Sequence, residues 1–208
     1  MKRRDFIASS LLAGVMSGTL DLEAFAQSTD DKPRAITNKI NKKPIKSFYL
    51  APAKGDPKWI DLKIRFEQTN NQFASTETSL PPKTMGPSPH VHKDLDEVMR
   101  VTKGTAAVLI GDEIYQVEEG GWLMRPHGIV HTFWNASEEP VTFIDLFPNQ
   151  NFDLFLEELI KVFDQLQVEG LSPNSKEGQR RQDILHTEWG ITMYHDQRQG
   201  IMDKYGLK

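Results

Sequence analysis

The stretch Pro87–Gly104, PSPHVHKDLDEVMRVTKG, and its continuation Gly120–Asn135, GGWLMRPHGIVHTFWN, decide how this chain is read. His90, His92 and His131, three of the six histidines, lie in them together with Glu97. In a strand, residues two apart share a face. His90 and His92 can therefore both look inward, with Val91 turned away. Glu97 has the wrong parity for an unbroken strand, so the polar pair Lys93-Asp94 is expected to bend or bulge the chain and reset it. Beyond the bend, alternation puts Met99 and Val101 on the side of Glu97 and sends Val98 and Arg100 the other way. The strand should end at Thr102-Lys103-Gly104. His131 must return on a later strand beside the first, aimed by a bend that Pro126 and Gly128 bracket.

Three neutral imidazoles and one carboxylate bind a divalent cation and leave a net charge near +1. This donor set suits iron, manganese, nickel, copper or zinc better than calcium or magnesium. A six-coordinate ion held by four protein groups keeps two positions for water or for an oxygen-bearing substrate. Met99, Val101 and Phe133 share inward parity with Glu97 and His131 and are the expected pocket lining. Either Trp122 and Met124 or Leu123 and Arg125 join them, since parity cannot be carried across the bend. Asp145 is open for the same reason.

These residues resemble the two motifs of the cupin superfamily. The first is matched by His90, His92, Glu97 and Gly104, and the second by Gly120, Pro126, Gly128, His131 and Asn135. One departure is a missing glycine six residues before His90. Thr84 stands there, and the nearest glycine is Gly86. The resemblance implies an all-β fold, a cupin-type antiparallel barrel or jelly roll, with His90, His92, Glu97 and His131 as ligands of one metal ion. The chain is also similar to small quercetinase-like cupins. That likeness implies a metal-dependent oxidoreductase of the dioxygenase kind, with Glu97 doubling as general base. Two other readings stand beside it, a non-catalytic small-molecule-binding module of the cell envelope and a metal-dependent isomerase or lyase. The last ranks lowest, because no acid/base pair outside the metal ligands is visible and few cations have inward parity. The family likeness also implies a homodimer.

Composition narrows the classes further. A net charge of −4 argues against a nucleic-acid surface. The absence of cysteine excludes disulfides, thiolate ligands and cysteine nucleophiles. No serine-hydrolase elbow and no glycine-rich phosphate loop occurs.

Residues 1–26 read as an export signal. Lys2-Arg3-Arg4 opens it, a mildly apolar run from Ala8 to Leu20 follows, and Ala24-Phe25-Ala26 offers small residues for cleavage. The arrangement resembles a twin-arginine signal, so the mature protein is expected outside the cytoplasm, periplasmic or secreted, without a membrane span. Residues 27–46 form a polar arm, 47–148 the barrel, and 149–208 a helical extension. Within the barrel a strand is expected at Phe48–Leu50 and a half-buried one over Trp59–Gln68. Others are expected over Gln72–Leu80, Glu97–Lys103, Thr105–Ile110, Ile114–Val117, Trp122–Arg125, His131–Trp134 and Val141–Phe147. Apolar residues from Phe152 to Leu166 then recur at steps of three and four, which predicts an amphipathic helix from Asn151 to Gly170. A second helix is expected over Lys176–Trp189, with both packed on the barrel or across one mouth.

Overall fold

The computed structural model describes residues 45–54 and 58–208. The expected export signal, and the polar arm up to residue 44, lie outside the described residues.

Two antiparallel sheets face each other. One has the order β1-β2-β10-β5-β8, built from β1 (Asp61–Ile64), β2 (Phe73–Leu80), β10 (Val141–Pro148), β5 (Glu97–Lys103) and β8 (Trp122–Arg125). The other has the order β11-β4-β9-β6-β7, with β3 pairing β9 off that path. Its strands are β11 (Ile191–Met193), β4 (His90–His92), β9 (His131–Asn135), β6 (Thr105–Ile110), β7 (Glu113–Glu118) and the two-residue β3 (Thr84–Met85). Apart from β1-β2 and β6-β7, the paired strands are not consecutive in the chain, as in a jelly roll. The alternation seen in the sequence sets the faces. In β10, Val141, Phe143, Asp145 and Phe147 are buried and the residues between them are half-buried. β5 repeats the pattern through Glu97, Met99 and Val101. Gly104 and Gly111 make the tight turns with φ of 79° and 58°, a region that glycine enters without penalty.

Two expected strands differ. Phe48–Leu50 is not a strand, and all three residues are exposed. Pro52 follows closely, and no strand among the described residues pairs with them. The strand expected over Trp59–Gln68 is only Asp61–Ile64, followed by a 3-10 turn at Phe66–Thr69. The Gln68 side chain accepts the Arg65 N–H at 2.8 Å, and Asn70 closes the turn at φ 54°. This local hydrogen bonding competes with the ladder and wins. The alternation is nonetheless used, because Ile60, Leu62 and Phe66 pack against the core.

The extension begins with α1 (Phe152–Val168), preceded by Asn151 and stopped near Gly170. Next is α2 (Lys176–Glu188), where the Ser175 hydroxyl accepts the Gly178 N–H at 3.0 Å as an N-cap. Both match the expected periodicity. After Gly190 the chain does something the sequence reading did not foresee. β11 joins the sheet edge beside β4, in the register Ile191↔His92 and Met193↔His90. A last helix, α3 (Arg198–Tyr205), follows. Tyr205 packs on Trp134 with ring centroids 4.7 Å apart.

Three apolar clusters fill the interior. Phe152, Phe155, Leu156 and Leu159 of α1 meet Ala74, Phe147, Leu95 and Ile191. Met99, Val101, Phe133, Phe143 and Val108 form a second cluster between the sheets. Met85, Ala107 and Trp134 form a third, under α3. The extension is thus seated on the barrel by core packing.

Candidate metal centre

His90, His92, Glu97 and His131 converge. Each is buried, and each offers one ligand atom within 4.8 Å of the others. The local reasons are those read from the spacing. β4 is three residues long and turns His90 and His92 inward, with Val91 half-buried between them. The chain bends at Lys93-Asp94 and restarts as a strand at Glu97. β9 lies antiparallel to β4 with His90 and His131 paired directly. The bend before it is pinned by the Gly128 N–H donating to the His92 carbonyl at 2.8 Å.

The hydrogen bonds fix which ring nitrogens face inward. His90 Nδ1 lies 2.9 Å from the Ser88 carbonyl, and His131 Nδ1 lies 3.1 Å from the Ile129 carbonyl. A carbonyl only accepts, so each Nδ1 holds the proton and each Nε2 presents a lone pair. His131 Nε2 and Glu97 Oε2 stand 2.8 Å apart, yet neither has a hydrogen-bond partner, and His92 Nε2 is equally bare. Two lone pairs this close, sealed from water, are costly unless a cation or a proton lies between them. The donor set therefore fits a divalent metal ion.

Electrostatics points the same way. Burial first, then the neighbouring imidazoles, holds His90 well below its ordinary value. Burial likewise holds His92 down to about 4. Both rings are neutral ligands at physiological pH. Burial alone would push Glu97 up, but Arg125, His92 and the close His131 ring together hold it well below its ordinary value. It is a carboxylate, as a ligand must be.

Parity left the choice between the two faces of β8 open, and the fold resolves it. Leu123 and Arg125 turn inward while Trp122 and Met124 are exposed. Arg125, 1% exposed, is paired directly with Glu97 across the ladder. Its Nη2 lies 3.6 Å from Glu97 Oε1 and 2.6 Å from Asp145 Oδ1. Burial pushes the Asp145 carboxyl up to about 7, Glu97 adds to the push, and Arg125 pulls against it. A buried acid/base group thus stands one side chain away from Glu97. The sequence reading saw no such group. Its one signal was the buried parity of Asp145 with Phe143 and Phe147.

His90, His92 and Glu97 form part of the wall of a cavity of about 490 Å³. Of the three residues expected to line it, Phe133 does. Met99 and Val101 point inward but are fully buried in the apolar cluster between the sheets, where Phe143 and Leu80 pack on them in place of a ligand. The larger surprise is the extension, which supplies Phe152, Phe155, Leu156, Phe163 and Met193 to the wall. The helical period hinted at the four from α1 but not at Met193 of β11, and it marks a buried face without saying what that face meets. The extension also braces the ligands. Asp183 Oδ1 meets His195 Nε2 at 2.9 Å, and His195 Nδ1 meets Ser88 Oγ at 3.2 Å. Ser88 is the residue whose carbonyl orients His90. His127 is an exposed loop residue, held by Asp96 at 2.8 Å. Asn135 proves structural. Its Nδ2 donates to Leu80, Pro81 and Glu139 carbonyls.

Residues 76–147 match the family model described as a cupin domain. No curated protein matches the chain. Among solved structures, the chain is similar to an uncharacterized conserved protein with a double-stranded beta-helix domain from Klebsiella pneumoniae, at 21% identity over 50% of this chain and 85% of that one, with a TM-score of 0.40. It is similar to a cupin protein from Bacteroides fragilis at 18% identity over 51% and 86%, with a TM-score of 0.41. A sugar phosphate isomerase from Silicibacter pomeroyi is 22% identical over 43% of this chain and 59% of its own, with a TM-score of 0.38. At these scores the likenesses say nothing of activity.

Proposed function

We propose that the chain is a cupin, as the match of residues 76–147 to the cupin-domain model supports, and that it is a metal-dependent oxidoreductase of the dioxygenase kind, acting on a small, largely apolar substrate that binds the metal through oxygen. One observation carries this reading. Four buried donors converge, three of them (His92, Glu97 and His131) with a buried atom that has no hydrogen-bond partner, and His90, His92 and Glu97 border a cavity walled mainly by aromatic and aliphatic side chains. His90, His92, Glu97 and His131 would hold one divalent ion from the iron-to-zinc series. Such an ion, when bound, supplies a Lewis acid with open positions for an oxygen donor and for dioxygen.

The chain's own groups do the rest. Phe133, Phe152 and Phe155 exclude water and favour a flat apolar body. Arg125 holds the outer oxygen of Glu97 and keeps that carboxylate in place. The backbone carbonyls of Ser88 and Ile129 keep the protons of His90 and His131 on Nδ1. Oxygen consumption with flavonol or diketone substrates, measured on protein loaded in turn with iron, manganese, nickel and copper, tests the reading. No uptake with any of them overturns it.

A second reading, a metal-dependent isomerase or lyase, gains support from Asp145. That carboxyl, pushed up to about 7, can take or give a proton near neutrality beside the metal ligands. Turnover under strict anaerobiosis separates it from the first. A binding module predicts tight ligand uptake with no turnover in either atmosphere. The twin arginines and the Ala24-Phe25-Ala26 segment further support export. An intact N-terminus on protein recovered from the cell envelope would count against a cleaved signal.

A further inference from the structure

Arg198 is the guanidinium the metal site leaves unused. It opens α3, and one terminal nitrogen, Nη1, donates to the Gly86 carbonyl at 2.7 Å. That bond sets the side chain in the cavity wall with Met85, Gly86 and Ser88. Gly86 is itself packed under the Phe133 ring, where an added Cβ would stand 2.5 Å from the ring. Arg198 Nε is buried with no hydrogen-bond partner. Among the described residues no carboxylate pairs with Arg198. Arg125, the other guanidinium in the wall, has both Asp145 and Glu97.

A partly buried guanidinium with one of its five donors used and no counter-ion is a standing cost to the fold. The planar fork of arginine matches a carboxylate or another oxyanion in two parallel hydrogen bonds. We propose that Arg198 is the anion anchor of this cavity, and that the ligand is a small apolar or aromatic molecule bearing a single oxyanion, a carboxylate above all. The apolar wall takes its body and Arg198 takes its charged end. Gly86 precedes His90 by four residues, at most ~13 Å of extended chain, so a ligand of one or two rings spans the distance from Arg198 to the metal ligands. With Arg125 already paired, Arg198 is, among the described residues, the guanidinium in the wall left to take an oxyanion, and its planar fork favours a carboxylate. The inference rests on this cavity being the substrate site of the reading above, and it narrows the substrate class.

The test compares isosteric probes, 2-naphthoate and 2-naphthamide, on the metal-loaded protein, by calorimetry and by tryptophan fluorescence. Carboxylate should bind at least about tenfold more tightly than amide, the worth of a charge-assisted pair. Arg198→Gln keeps a donor for the Gly86 carbonyl and loses the charge. It should abolish the preference while amide affinity, melting temperature and metal content stay at wild-type values. Equal affinity for the two probes in the wild type, or no binding of either, overturns the proposal. So does an Arg198→Gln variant that weakens both probes alike, since that marks a structural tie only. Because the readout is binding, a failure here is distinguishable from failure of the proposed oxidation, which is read in oxygen uptake.

Discussion

At the scale of single residues, the site is a competition between burial and charge. His131 is fully buried and is the only ligand drawn from β9. Outer partners of a metal ligand are each worth about 10–100-fold in metal affinity, so losing the ligand itself should cost more. His131→Ala should emerge from purification with its metal content reduced to background by elemental analysis; full occupancy would place the ion elsewhere. The same burial shapes acid stability in the metal-stripped protein. His92 is held down to about 4 from 6.5. The folded state binds fewer protons than the unfolded chain between those values, so this contribution is present above about pH 6.5 and is lost as pH falls toward 4. A gap of that size is on the order of 3 kcal/mol. Asp145 has the opposite sign. Its carboxyl is raised from 3.8 to about 7, so its contribution is present at low pH and lost as pH rises through 7. The two oppose each other across the same window. Asp145→Asn should therefore make the fall in denaturation midpoint between pH 6.5 and 4 steeper than in the wild type. A slope equal to the wild type's would show that Asp145 titrates normally.

At the scale of elements, β11 is the piece that changes the meaning of the extension. Its three residues lie against the ligand strand, Ile191 opposite His92, and Ile191 is buried with Leu95 and Phe155. Truncating a buried aliphatic side chain costs about 2–5 kcal/mol. Ile191→Ala and Leu166→Ala should lose similar stability in urea, since both side chains are buried. Only Ile191→Ala should also weaken metal binding measurably in a competition with a chelating dye. Equal metal affinity in the two variants would mean that β11 merely fills space. The hydrogen bond from the Lys93 N–H to the Gly190 carbonyl, 2.9 Å, joins the same two segments at the bend that resets Glu97.

At the scale of the whole molecule, four donors from three strands of the two sheets can be satisfied together only in the folded chain. A metal that binds the folded state alone stabilises it by mass action, by about 2.7 kcal/mol at a hundredfold excess over its dissociation constant. For a domain of this size that is roughly 5–10 °C in melting temperature. Chelator should lower the melting temperature by that amount, and the shift should grow with the logarithm of added metal. A melting temperature indifferent to chelator would argue against a metal held by these four groups. Among the described residues, no helix is long and apolar enough to cross a membrane.

The sequence by itself determined what is local and periodic. The spacing of His90 and His92, the bend before Glu97 and the glycine turns specified most strands and the four candidate metal-binding residues, because strand parity and turn chemistry act within a few residues. The helix from Phe152 onward was legible for the same reason. The tertiary structure alone decided what is non-local. It chose Leu123 and Arg125 over Trp122 and Met124, placed Asp145 against Arg125, buried Met99 and Val101 away from the cavity, and brought Ile191–Met193 back to the ligand strand. Each of these depends on which distant segment fills the facing space, and neither parity nor helical period carries that information across a chain reversal.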